Sequence, residues 1–172
     1  MLQANSYQQQ KDEAQRYALT WNFKREKSVF TLNAGFVQDK IRFIDSTALL
    51  DERSRARSYQ ADAMYSLYPI QNWQFDFRVS AEKSQAITDA YPKEEKLDQI
   101  SGTVRVGYSK GKLNTNIALR NGFTNGDALP LLPSAGISYQ IVKAIRLRAE
   151  GAMVYRVPTL NDQYWQPGGN RE

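Results

Sequence analysis

Apolar and polar side chains alternate along most of this chain. Tyr17, Leu19, Trp21 and Phe23 share one parity, and Arg16, Ala18, Thr20 and Asn22 share the other. The same rhythm sets Phe30, Leu32, Ala34 and Phe36 against Thr31, Asn33 and Gly35. It sets Tyr59, Ala61, Ala63, Tyr65 and Leu67 against Ser58, Gln60, Asp62 and Ser66. The clearest stretch opposes Trp73, Phe75, Phe77, Val79 and Ala81 to Asn72, Gln74, Asp76, Arg78, Ser80 and Glu82. Further stretches carry Ile100 to Tyr108, Leu113 to Leu119, Ala135 to Ile141, and Ile145 to Tyr155 on alternate positions. A period of two is that of a β-strand, and these runs exceed the five or six residues usual in soluble proteins.

The pattern predicts an all-β, antiparallel chain of about eight strands, and none of the eight apolar faces carries a charge. On the lipid side of a membrane barrel a midplane charge costs about 2–4 kcal/mol, whereas one facing a wet lumen costs little. A soluble β-sandwich also alternates, so alternation leaves both architectures open.

The connections discriminate. Those after odd strands are short, at 24–27, 69–71, 109–112 and 142–143; those after even strands read as long loops, at about 38–57, 83–97 and 121–133. Outer-membrane barrels have short periplasmic turns and longer outer loops, so odd strands are expected to descend toward the periplasm. Trp21, Phe23, Phe30, Tyr65, Trp73, Phe75, Tyr108 and Tyr139 gather near the short turns, and Tyr17, Tyr59 and Tyr155 near the long loops. Tyr and Trp favour membrane interfaces in this manner.

Composition narrows the chemistry. The 172 residues contain neither Cys nor His, which excludes disulfides, thiolate metal sites and the Ser-His-Asp and Cys-His mechanisms within this chain. No catalysis, cofactor or metal is expected. The net charge of +5 invites a nucleic-acid partner, but the densest charged stretches, Asp51 to Arg57 and Lys93 to Lys96, mix signs and read as solvated loops. Nucleic acid is therefore not an expected partner. The carboxylate pairs Asp51/Glu52 and Glu94/Glu95 lie in the same loops. Asn121 to Asp127 reads first as a turn-rich connector and second as a ligand-contacting loop. No apolar run approaches the roughly 20 residues of a spanning helix, and residues 1–10 lack a signal peptide's basic start and apolar stretch.

After the last strand, Pro158 lacks an amide donor and biases its predecessor toward an extended bend, so the strand is expected to end by Val157. Asn161 and Asp162 suit a side-chain-supported turn, and Tyr164 and Trp165 are expected to pack on a rim or on the loop itself. Here Arg156, Pro158, Thr159, Leu160, Tyr164, Trp165, Pro167, Gly168, Gly169 and Asn170 resemble a segment of the TonB-dependent outer-membrane receptors. That segment follows a mid-to-late barrel strand and has the form aromatic-Arg-x-Pro-Thr-Leu-x-x-x-Tyr/Phe-Trp, then Pro-Gly-Gly-Asn. The match covers only the end of the chain and departs from the family at Arg171-Glu172, where Pro commonly follows.

The resemblance implies a barrel of about 22 strands filled by an N-terminal plug domain. Residues 1–172 would be a partial barrel domain, with the plug, the TonB-engaging segment and the closing strands absent. It further implies residence in the outer membrane of a Gram-negative bacterium, contact with outer-membrane lipid, and a partnership with the TonB complex through the missing N-terminal region. The transported ligand would be a small molecule or chelate, of the iron-siderophore or cobalamin type, and the motif residues would serve a structural role in an extracellular loop. Two alternatives stand beside this expectation: a complete eight-stranded structural or adhesion barrel, and a soluble secreted sandwich that binds glycans.

Overall fold

The computed structural model describes residues 8–46, 48–89 and 93–164. Its strands follow in order: β1 (Gln8–Arg25), β2 (Ser28–Asp45), β3 (Leu50–Leu67), β4 (Trp73–Thr88), β5 (Glu95–Lys110), β6 (Leu113–Thr124), β7 (Asp127–Ala128), β8 (Leu132–Val142) and β9 (Ile145–Ala152). One short helix, α1 (Leu160–Tyr164), ends the described chain. The strands form a single antiparallel sheet in chain order, with the two-residue β7 set aside against β6. Among the described residues β1 pairs only with β2 and β9 only with β8, so the sheet is open.

Cross-strand register brings the alternating residues into continuous rows. Leu19, Ala34, Ala61, Ala81, Ile100 and Phe123 lie opposite one another across six strands. Phe23, Phe30, Tyr65, Phe77, Val104 and Leu119 form another such row. Directly paired residues share a face, and a slip of one residue would move a whole set to the other side. One face is therefore largely apolar on every strand between the tight turns and the row of Tyr17, Phe36 and Tyr59, and the other carries the polar partners.

Among the described residues no second sheet covers either face. Among the described residues Leu97 is the only buried hydrophobic side chain, at 7% exposure, while Trp21 and Ile117 on the apolar face are 54% and 63% exposed. A sandwich hides such residues between two sheets. Here there is one sheet.

The long connections expected at 38–57 and 83–97 are instead strand. β2 and β3 each run 18 residues, and the ladder continues from Phe36↔Tyr59 to Asp45↔Leu50. β4 and β5 likewise pair as far as Ala86↔Glu95. Backbone hydrogen bonds do not require apolar side chains, so pairing persists where the apolar alternation stops. The asymmetry survives in another form, as polar extensions of the strands at one end only, called here the far end. At the other end the chain turns tightly, through Glu26–Lys27 and through Gly111, whose φ is +57°.

Two further expectations change. Asn121 to Asp127 is the end of β6 plus a two-residue turn in which Asn125 and Gly126 both have positive φ, 51° and 94°. That conformation matches the twist of the strands it joins. The last strand ends at Ala152, within the limit set by Pro158 but short of the alternation expected as far as Tyr155. The Met153 amide still reaches the Pro133 carbonyl at 3.0 Å, and beyond that point only Leu132 of β8 remains.

Candidate functional site

The polar face holds a lattice of cross-strand hydrogen bonds. Arg78 donates through Nε to Asp62 at 2.6 Å, and Ser80 donates to the same carboxylate at 2.6 Å. Ser66 donates to Asp76 at 2.6 Å, and Arg105 lies 3.8 Å from the other oxygen of Asp76. Thr20 donates to Asn33 at 2.9 Å, and Thr31 to Asn22 at 2.8 Å. Each charged group sits opposite or diagonal to its counterion, as cross-strand geometry allows. The apolar face instead pairs rings. Tyr17 stacks on Phe36 at 6.1 Å, Phe36 meets Tyr59 at 5.0 Å, and Trp73 meets Tyr108 at 4.9 Å.

The segment after β9 returns over the polar face at the far end. Val157, Pro158, Thr159 and Leu160 line a cavity of about 500 Å³ with Val37, Ser58, Ser84 and Leu97. Helix α1 packs against β5, which accounts for the burial of Leu97.

Within the segment the geometry is a reciprocal cap. The Thr159 amide donates to Asp162 Oδ2 at 2.8 Å, and the Asp162 amide donates to Thr159 Oγ1 at 3.2 Å. Arg156 donates to the same carboxylate oxygen at 3.1 Å. Gln163 donates from its side chain to the Pro158 carbonyl at 3.0 Å and from its amide to the Thr159 carbonyl at 3.2 Å. Pro158, without an amide to satisfy, suits its place just before the cap. The Thr159 hydrogen bonds, together with the Arg156 charge, hold the Asp162 carboxyl below its ordinary range.

Of the candidate motif residues, Arg156, Pro158, Thr159 and Leu160 are thus brought together. Tyr164 closes α1, and its side chain lies outside the described residues, as do Trp165, Pro167, Gly168, Gly169 and Asn170. The residue that joins the motif is Asp162, expected from the sequence as a turn former but not counted among the motif residues. Asp162 is the common acceptor for Arg156 and Thr159, and its signal was present in the Thr-x-x-acid spacing of a helix start.

Among the described residues no three His, Cys, Asp or Glu side chains are grouped to hold a metal ion. No helix is long and apolar enough to cross a membrane, a statement that does not bear on strands. Compared with known proteins, the chain matches no family model and no curated protein.

Proposed function

We propose that this sheet is part of the wall of an outer-membrane β-barrel, belonging to a TonB-dependent importer of a scarce nutrient. The observation that carries the membrane part is the apolar face, continuous in register over eight strands and, among the described residues, uncovered by any second sheet. In water such a face is an aggregation site; against lipid it is the ordinary exterior of a barrel. Its extent agrees. From Tyr59 to Leu67 the band takes nine residues of strand, against the roughly 9–11 that a tilted strand needs to cross a bilayer.

The polar lattice of Asp62, Arg78, Asp76 and Arg105 then faces the lumen. Free edges at β1 and β9 find partners in further strands, because lipid cannot satisfy unpaired backbone groups. On this reading Arg156 to Asn170 belongs to the extracellular end, where the capped turn braces the inner wall and carries no catalytic step. The importer assignment rests on the resemblance of that segment and on its seat over the polar face. The transported ligand is a small molecule or chelate of the siderophore or cobalamin class.

The test is genetic and biochemical. The native gene product should fractionate with the outer membrane and run faster unboiled than boiled on denaturing gels. Deleting the gene should abolish uptake of one labelled iron chelate or cobalamin, and an uncoupler should do the same in the parent strain. Recovery in the soluble periplasm would end the membrane reading. Uncoupler-insensitive uptake would end the TonB reading alone.

A further inference from the structure

From the row in which Tyr17, Phe36 and Tyr59 stack, which Lys83 and Asp98 continue, strands β1 to β5 run on with their charges sorted by face. On the side continuous with the apolar face, β2 and β3 present Lys40, Arg42, Arg53, Arg55 and Arg57, while β4 and β5 add Lys83 and Lys96. β1 contributes Lys11 and Glu13 to this side; the other strand carboxylates on it are Asp51 and Asp98, and Glu94, just before β5, lies beside Arg55 and Arg57. Among the described residues, the opposite side of these rows carries Asp12, Asp39, Asp45, Glu52 and Glu95 against the single cation Arg16. Solubility alone gives no reason for this segregation, since either sign on either face would serve.

The ladder also sets like charges directly opposite one another: Lys40 faces Arg55, and Arg42 faces both Lys11 and Arg53. Such pairs destabilise a sheet unless an anion lies between them. The protein supplies some. Glu13 lies 2.9 Å from Lys40, Asp51 lies 2.7 Å from Arg42 and 3.3 Å from Arg53, and Asp98 lies 3.8 Å from Lys83. Arg57 donates to a neutral acceptor, Gln38 Oε1, at 2.8 Å. Arg55, Arg57 and Lys96 form no ion pair among the described residues. Arg55 and Arg57 line a recess of about 150 Å³ with Gln85, Ile87 and Glu94.

Position selects the anion. At roughly 3.3 Å per residue and a tilt of about 45°, the backbones of Arg57 and Arg55 stand about 5 and 9 Å above Tyr59 along the membrane normal, within reach of their long side chains. A headgroup layer is about 5–8 Å thick on each side of the hydrocarbon core. Guanidinium groups also match phosphate oxygens two at a time. We propose that this cationic surface, centred on Arg55, Arg57 and Lys96, docks the phosphates of anionic lipid headgroups at the outer surface of the bilayer. The inference rests on the membrane reading of the apolar face.

The intact native gene product, reconstituted in phosphatidylcholine vesicles with a minority of phosphatidylglycerol, should retain phosphatidylglycerol preferentially when its bound lipids are weighed by native mass spectrometry. Arg55→Gln, Arg57→Gln and Lys96→Gln together should reduce that preference by roughly fivefold per cation removed. Arg148→Gln, on the polar face, should leave it unchanged. Absence of a preference in the parent protein, an unchanged preference in the triple variant, or displacement of the lipid by inorganic phosphate would each overturn the proposal. Quenching of Trp21 and Trp73 by brominated lipid, measured on the same samples, separates the two ideas. Quenched tryptophans without a phosphatidylglycerol preference sink the docking surface alone, whereas unquenched tryptophans sink the membrane reading with it.

Discussion

Thr159 and Asp162 cap each other: the Thr159 amide is held by the Asp162 carboxylate at 2.8 Å and the Asp162 amide by the Thr159 hydroxyl at 3.2 Å. This reciprocal bond turns the chain out of the sheet and into α1, and Arg156 joins it from six residues upstream. The shared part of the family-like motif is therefore a fold device. Asp162→Ala should release α1 and speed amide exchange at Asp162 and Gln163, while Asp162→Asn should retain part of the cap. Unchanged exchange in the alanine variant would refute the role.

The same carboxyl makes a pH prediction. Its folded value is lowered from the ordinary 3.8 by the Thr159 hydrogen bonds first and Arg156 after them. A group with a depressed folded pKa stabilises fully above its unfolded value and loses that contribution as pH falls through the folded one. The turn should therefore be indifferent to pH above about 5 and loosen only below about 3.8. Carboxyl chemical shifts of Asp162 across that range would check it.

Gly122 is buried where β6 crosses close to β5. A Cβ there would lie 2.3 Å from the Ile100 carbonyl oxygen and 2.9 Å from Ser101 Cβ, so the backbone would have to shift. Gly122→Ala should destabilise the folded protein by about 1–3 kcal/mol. Gly102→Ala, where nothing lies within 4 Å, should have little effect. Urea midpoints of the two variants in the intact protein provide the comparison.

The two faces can be told apart by one residue type. Ala63 sits in the apolar row with Leu32 and Val79, whereas Gln60 lies on the polar face opposite Glu82. Ala63→Lys should cost about 2–4 kcal/mol if that row meets lipid, and Gln60→Lys about 0–1 kcal/mol. Equal effects on the unfolding of membrane-inserted protein would contradict the assignment.

The absence of native cysteine makes cross-linking clean. Cysteines placed at Ala61 and Ala81, which are directly paired, should join readily. Cysteines at Tyr17 and Met153, at opposite edges of the sheet, should not. Efficient joining of the second pair would revive a closed eight-stranded barrel.

Strand identity was legible in the residues, because a pleated strand projects neighbours to opposite faces and each face meets one environment. Trp73 to Ala81 could be assigned from side chains alone, and so could the charge-free faces. The far-end strands could not. From Gln38 to Arg57 charges fall on both faces and Ile41, Phe43 and Ile44 are split between them, so alternation is lost, and ladder hydrogen bonds between main-chain groups leave no trace in side-chain periodicity. The mixed signs of Asp51 to Arg57 looked like a solvated loop for the same reason. Only the register showed that Arg53, Arg55 and Arg57 share a face with Lys40 and Lys96 while Glu52 and Glu82 point the other way. Likewise the motif residues were visible as a string, but the seat of Val157 to Leu160 over Leu97 depends on contacts about 60 residues apart in the chain. Alternation is a local property of a strand; which strand lies beside which, and therefore which charges meet, is decided by long-range pairing.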